Sequence, residues 1–110
     1  MGEIPFQLPP QRAAELLASG DAEMIDVREP YEREAGRIPG SRHVELGRLA
    51  ECAETLPIER PIVFQCRVGA RSAQAAFAFR RAGFDAHNLE GGIVAWEAEG
   101  LPVDGEIAFH

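Results

Sequence analysis

One stretch of the sequence decides the fold, Pro61-Ile62-Val63-Phe64-Gln65-Cys66-Arg67-Val68-Gly69-Ala70-Arg71. Its first five residues form the most continuous apolar run with strand character, which is typical of a central parallel strand covered on both faces. The residues from Ser72 to Ala82 are rich in alanine and phenylalanine, and Gly83 follows as a cap, which predicts a helix. Cys66 therefore stands where a buried strand gives way to a loop and a helix.

On both sides of this stretch, short apolar segments alternate with longer helical ones. Further strands are predicted at Met24–Val27, around His43–Glu45 and at Asp85–Leu89, and further helices at Gln11–Ser19, Leu46–Thr55 and from Gly91-Gly92 through Trp96. The polar segment 29–37 ends in a turn signal, and the tail 103–110 is uninformative. The alternation indicates an α/β fold.

Length and composition indicate one domain and exclude several functions. The chain has 110 residues, 45% of them hydrophobic, which is enough for one core without disulfides or metal. The net charge of -7 argues against a nucleic-acid partner. The N-terminus lacks the features of a signal peptide, and no apolar run approaches the roughly 20 residues of a membrane span. We expect a cytoplasmic protein in which Cys52 and Cys66 stay reduced, with no membrane partner.

The position of Cys66 favours a reactive thiolate in an anion-binding loop. In open α/β sheets, ligands bind beyond the carboxyl ends of strands, where helix N-termini present unpaired N–H groups. The helix end, Arg67, Arg71 and inward-pointing loop amides would all stabilise a thiolate, and Gly69 lets the backbone curl around it. A buried cysteine that only ends a strand is the simpler interpretation, but two arginines and a glycine within six residues argue against it.

At this point the residues resemble the rhodanese-like sulfurtransferases, in particular the small single-domain bacterial type. The segment from Cys66 to Ser72 is similar to the family's active-site loop. Three further motifs support the resemblance in the same order along the chain: Ile25-Asp26-Val27-Arg28-Glu29-Pro30-Tyr31-Glu32, Gly36-Arg37-Ile38-Pro39-Gly40-Ser41, and Gly91-Gly92 followed by Trp96 and Gly100-Leu101-Pro102. Arg37 departs from the family pattern, which usually has histidine there.

The resemblance implies a single rhodanese-like domain over residues 1–110, with a central, mainly parallel sheet of about five strands and helices on both faces. It also implies a two-step reaction. Cys66 attacks the outer sulfur of thiosulfate or a similar anionic donor and becomes a persulfide, and a thiol or cyanide then removes that sulfur. The substrate-binding loop would comprise Arg67, Val68, Gly69, Ala70, Arg71 and Ser72.

By the same resemblance, Arg71 could close the loop structurally or add positive potential, and Arg67 could hold the donor at the pocket mouth. Asp26 and Arg28 end the first buried strand near this edge, where a structural ion pair is favoured over a catalytic role.

Three other residue types are assigned no role in the chemistry. Cys52 is interpreted as a packed apolar residue in preference to a resolving thiol. The three histidines, His43, His87 and His110, show neither mutual spacing nor pairing with cysteine, so no metal and no cofactor is expected. Trp96 is predicted to pack in the core.

Two rival functions stay open. A cysteine-dependent phosphatase or arsenate reductase also uses a thiolate in an amide cradle, but those loops place five residues between cysteine and arginine, where this chain has four between Cys66 and Arg71. A non-catalytic persulfide carrier or regulatory module, which exchanges sulfur with a partner protein, is barely distinguishable by sequence.

Overall fold

The computed structural model describes residues 3–107. Its centre is a five-stranded sheet in which every neighbouring pair is parallel, with strand order β1-β6-β5-β2-β4. The strands of this sheet are β1 (Gln7–Leu8), β2 (Glu23–Asp26), β4 (Arg42–His43), β5 (Ile62–Gln65) and β6 (Ala86–Leu89). Two further strands, β3 (Gly36–Arg37) and β7 (Asp104–Gly105), form a small antiparallel pair. The predicted α/β fold is confirmed.

Within residues 3–107, five α-helices accompany the sheet: α1 (Pro10–Ser19), α2 (Pro30–Ala35), α3 (Leu49–Cys52), α4 (Ala70–Arg81) and α5 (Gly92–Ala98). Helix α1 ends at Gly20, whose φ of 80° is the left-handed conformation expected of a glycine cap. Helix α3 is short and is flanked by 3-10 turns at Leu46–Arg48 and Ala53–Thr55. None of the helices in the described range is long and apolar enough to cross a membrane.

The core lies on both faces of the sheet, because consecutive strand residues point to opposite sides. Ile62 and Phe64 pack on the face covered by α3 and α4, whereas Val63 packs on the face covered by α1 and α5. Trp96 belongs to the second face, 2% exposed, and its indole N–H donates to the Pro102 carbonyl at 2.8 Å. The prediction that Trp96 packs in the core is correct.

The predicted elements differ from the observed ones in three places. The polar segment 29–37, which carries no predicted element, contains α2 and β3. The predicted helix Leu46–Thr55 is a series of short helical turns instead of one α-helix. Strands β1 and β7 have no counterpart among the predicted strands, since two residues are too few to show a periodic pattern.

Parallel strands bring their carboxyl ends to one edge of the sheet. Asp26 ends β2 and lies in register with Gln65, which ends β5. Cys66 follows Gln65, and Glu90 follows β6 on the other side. The loops after β2, β5 and β6 therefore meet around Cys66, which is where a parallel α/β sheet binds its ligands.

Candidate active site

The sulfur of Cys66 lies inside a ring of hydrogen-bond donors. The Gly69 backbone N–H approaches Sγ at 3.2 Å, and Ser72 approaches it with its backbone N–H at 3.4 Å and its hydroxyl at 3.2 Å. Cys66 is 1% exposed and Ser72 is fully buried. A sulfur in this position accepts from up to three donors while being almost removed from solvent.

Gly69 makes this ring possible through its backbone conformation. Its φ of 104° is in the left-handed region that favours glycine, and it caps the start of α4. The turn directs the Gly69 N–H toward the sulfur, while the Gly69 carbonyl accepts from the Ala73 N–H at 3.1 Å in the first turn of the helix. The loop and the helix N-terminus are thus one continuous structure around Sγ.

The first residues of α5 hold the loop from behind. The Ile93 N–H donates to the Cys66 carbonyl at 2.9 Å, and the Val94 N–H donates to the Arg67 carbonyl at 3.1 Å. Gly92 permits the approach, because a Cβ at this position would overlap the Arg67 carbonyl and lie 2.6 Å from the Cys66 carbonyl oxygen. The backbone of the loop is therefore fixed by a second helix as well as by α4.

Asn88, on β6, connects the ring of donors to the rest of the sheet. Its Oδ1 lies 2.6 Å from the Ser72 hydroxyl, and its Nδ2 donates to the Gln7 Oε1 at 2.8 Å and to the Gly69 carbonyl at 3.2 Å. Asn88 is 2% exposed. The loop and strand patterns do not single out this residue, although it directly contacts two members of the predicted loop.

Arg71 forms an ion pair with Glu32 of α2. The guanidinium donates to both carboxylate oxygens, at 2.8 and 3.0 Å, and Glu32 Oε1 also accepts from the Glu29 N–H at 2.9 Å. The hydrogen bonds from Arg71 hold the pKa of Glu32 below its ordinary value, against the opposing effect of burial. The same pairing raises the pKa of Arg71, with a smaller contribution from the nearby Cys66. Both of the sequence-based roles for Arg71 are therefore compatible with its position.

Asp26 and Arg28 form a separate buried ion pair at the end of β2. Arg28 donates twice to the Asp26 carboxylate, with Nε and Nη2 each 2.9 Å from an oxygen, and its Nη2 also reaches the Gly36 carbonyl at 2.7 Å. Arg33 approaches the same carboxylate at 3.3 Å and donates to the Ser41 hydroxyl. These contacts join β2, α2 and β3.

The remaining predicted loop residues are less enclosed. Val68 is 55% exposed, Ala70 is exposed, and Arg67 is half-buried.

The second cysteine, Cys52, is half-buried and packs against the core on the side of the sheet covered by α3 and α4. It lines a cavity of about 210 Å³ together with Arg42, His43 and Arg48. Both cysteines are free thiols.

The two histidines among the described residues have hydrogen-bond partners other than Cys66. His43 Nε2 lies 2.7 Å from the Arg28 carbonyl, and the His87 ring lies 2.7 Å from both the Asp85 carboxylate and the Pro5 carbonyl. His110 is outside the described residues. Within residues 3–107, no group of three or more His, Cys, Asp or Glu side chains is placed to hold a metal ion.

Comparisons with known proteins agree with this architecture. A family model described as "Rhodanese-like domain" matches residues 9–99. A sulfurtransferase from Allochromatium vinosum is 34% identical over 104 residues, covering 94% of each chain. The thiosulfate sulfurtransferase GlpE of Pseudomonas aeruginosa is 32% identical over 93 residues, covering 84% of each chain. The crystal structure of a rhodanese-related protein from Thermoplasma volcanium superposes with a TM-score of 0.83 at 29% identity, covering 93% of this chain and all of the other.

Proposed function

Since the chain belongs to the family of rhodanese-like domains, we propose that it is a sulfurtransferase that carries sulfane sulfur as a persulfide on Cys66. Thiosulfate is the proposed donor, and a thiol or cyanide is the proposed acceptor. The observation that carries the proposal is the ring of three donors around a nearly buried sulfur at the carboxyl end of the central strand. The names of the relatives from Allochromatium vinosum and Pseudomonas aeruginosa support the same reaction class.

The proposed reaction has two balanced displacement steps. The Cys66 thiolate attacks the outer sulfur of thiosulfate, the bond between the two donor sulfurs breaks, and sulfite leaves with the bonding electron pair. The product is a persulfide whose outer sulfur carries the negative charge. An acceptor thiolate or cyanide then attacks this outer sulfur and releases the Cys66 thiolate.

The groups around Cys66 have distinct proposed tasks. The N–H groups of Gly69 and Ser72 and the Ser72 hydroxyl stabilise negative charge on the sulfur. Arg71, fixed by Glu32, holds the start of α4 and adds positive potential, and Arg67 binds the anionic donor at the mouth. We assign Val68 and Ala70 to the loop backbone around the sulfur.

Asp26 and Arg28 are proposed to support the site structurally, because their contacts are made with each other and with neighbouring backbone. We also propose a cytoplasmic location, supported by the two free cysteines. A protein that exchanges persulfide with this chain is a further acceptor class.

Intact-mass spectrometry tests the central proposal. Brief incubation of the reduced protein with thiosulfate should add the mass of one sulfur atom, and dithiothreitol should remove it. Cys66→Ser should take up no sulfur, whereas the matched variant Cys52→Ser should take up sulfur like the native chain. An unchanged mass together with hydrolysis of an aryl phosphate would favour the phosphatase alternative and overturn the proposal.

Steady-state kinetics separate the enzyme from the carrier. A free-standing enzyme turns over thiosulfate and cyanide to thiocyanate repeatedly. A carrier takes up sulfur from a persulfidated protein and shows negligible turnover with the small donor.

A further inference from the structure

The Ser72 hydroxyl has one proton and two acceptors. Its oxygen lies 2.6 Å from Asn88 Oδ1 and 3.2 Å from Cys66 Sγ. A serine hydroxyl donates a single hydrogen bond, so at any moment the proton points toward the amide oxygen or toward the sulfur. All three residues are at most 2% exposed, so water does not supply a substitute donor easily.

The Gly69 carbonyl, which can only accept a hydrogen bond, decides which atom of the Asn88 amide faces Ser72. Nδ2 faces two acceptors, the Gln7 side-chain oxygen at 2.8 Å and the Gly69 carbonyl at 3.2 Å. A flipped amide would place Oδ1 against the Gly69 carbonyl, with two oxygens facing each other. Oδ1 therefore faces Ser72, and only the Ser72 proton can bridge a 2.6 Å distance between these two oxygens.

We propose that Asn88 is a positioning residue for sulfur transfer, which acts by competing with Cys66 Sγ for the single Ser72 proton. This inference rests on the proposed function for its meaning in the reaction. When the sulfur is a neutral thiol, the proton is held by Asn88. When the sulfur is a thiolate, the hydroxyl rotates and donates to the charged atom, at the expense of the Ser72–Asn88 bond.

The competition affects the first step of transfer. As the thiolate attacks the donor, negative charge leaves Sγ and moves to the outer sulfur of the persulfide. The Ser72 hydroxyl then returns to Asn88, and its proton stays bonded to Oγ throughout. Asn88 thereby makes the thiolate less strongly solvated and more nucleophilic, and it favours the sulfur-loaded state over the free thiolate.

The charged groups on the elements around the loop would be the same in the variants that test this idea. They are Arg67 and Arg71 on the loop and α4, Glu29 and Glu32 at the start of α2, Asp26 and Arg28 at the end of β2, and His87 with Asp85 on and before β6. Replacing Asn88 by leucine changes none of these charges, but it also removes the amide donor to the Gly69 carbonyl. A comparison with and without the Ser72 hydroxyl therefore assigns a shift in Cys66 ionisation to the Ser72 proton.

The test follows thiolate ultraviolet absorbance against pH, in a Cys52→Ala background so that only Cys66 contributes. Asn88→Leu frees the Ser72 proton for the sulfur, and the ionisation midpoint should move about one pH unit toward acid. With Ser72→Ala also present, Asn88→Leu should produce no further shift.

A merely structural role predicts a different pattern. If Asn88 only braces the loop, the effect of Asn88→Leu persists without the Ser72 hydroxyl or moves the midpoint toward alkaline pH; either result overturns the proposal. The assay uses no sulfur donor. A chain that fails to accept sulfur from thiosulfate can therefore still show the acid shift of Asn88→Leu, and failure of this proposal is distinguishable from failure of the proposed function.

A measurement on the native side chains covers the case of a variant that does not fold. The carbon resonance of the Asn88 side-chain carbonyl should move with the ionisation of Cys66, because the Ser72 bond is made or broken. The same resonance should stay constant across that range in Ser72→Ala. A resonance that ignores the ionisation of Cys66 in the Ser72-containing protein contradicts the competition.

Discussion

The loop around Cys66 and the ion-pair network around Asp26 lie at the same edge of the sheet, and both surround one buried anionic or nucleophilic group. Around Asp26 the side-chain partners are full charges, with Arg28 and Arg33 contacting one carboxylate. Around Cys66 the direct contacts are neutral N–H and O–H groups. An anion held by buried cations is fixed in place, whereas a sulfur held by neutral donors can gain and lose charge during a reaction.

The largest expected effect comes from removing the carboxylate of Asp26. Asp26→Ala leaves Arg28, 1% exposed, without its anion beside the Arg33 guanidinium. We expect the free energy of unfolding to fall by about 3–5 kcal/mol, measured by urea denaturation. Sulfur uptake by the fraction that stays folded should be retained, since no contact of Asp26 reaches the sulfur.

The exposed pair Arg48–Glu51, with side chains 61% and 63% exposed, provides the control. Glu51→Ala should change the free energy of unfolding by at most about 1 kcal/mol. If Asp26→Ala and Glu51→Ala lowered the free energy of unfolding equally, the Asp26 network would contribute no more to stability than a surface pair.

An intermediate effect is expected at Gly92, which belongs to the sulfur site although it lies on α5. Gly92→Ala combines a φ of 66° with overlap of the Arg67 carbonyl, so the loop must move away from α5. We expect a loss of about 2 kcal/mol in stability and a fall of about tenfold or more in the rate of sulfur uptake. Stopped-flow or quenched mass spectrometry measures the rate.

Gly100 is the matched control for Gly92. It lies just beyond the other end of α5 with a φ of 81°, and a Cβ added there would have no neighbouring atom within 4 Å. Gly100→Ala should lower the free energy of unfolding by about 1–2 kcal/mol, which is the conformational cost alone, and should leave the rate of sulfur uptake unchanged. A slowed rate in the Gly100 variant would mean that general destabilisation explains both results.

The smallest effect concerns the Glu32–Arg71 pair, in which a charge pair supports the loop from outside. The folded pKa of Glu32 is below its ordinary value of 4.5, so the folded state binds fewer protons. The stabilisation is present above pH 4.5 and is lost as the pH falls through the lower folded pKa. Glu32→Gln should be about 1 kcal/mol less stable than the native chain at neutral pH, a small value because Arg71 is 36% exposed.

Urea denaturation at several pH values measures this difference, which should shrink toward zero in acid. Glu34→Gln, an exposed position on the same helix, serves as the control. A difference for Glu32→Gln that stays constant from neutral to strongly acidic pH would contradict a role for the ionised carboxylate.

The parts of the fold that carry long local patterns are predictable from the sequence. The apolar run before Cys66 and the capped helix after it follow from residue order alone, and β2, β6, α1 and α5 obey the same periodicities. Helix α2 gives no such signal because it is only six residues long, three of them are charged, and its one buried residue is Glu32. Strands of two residues give no period at all.

The residues of the candidate site also divide into those that local sequence spacing predicts and those that it does not. The donors Gly69 and Ser72 lie within six residues of Cys66, so the loop pattern includes them. Glu32 is 39 positions from Arg71, and Asn88 is 16 positions from Ser72. Those pairings depend on the order of strands in the sheet, which local spacing does not encode.

The contact between α5 and the loop also bears on how the loop could change in length. The carbonyls of Cys66 and Arg67 are bound to successive N–H groups of α5, and Gly92 leaves no room between the two backbones. An inserted residue that brought the loop to the longer spacing of cysteine-dependent phosphatases must bulge on the Gly69 side or release α5. Re-engineering this scaffold for a larger tetrahedral anion therefore requires either space on the Gly69 side of the loop or a change in the helix after β6.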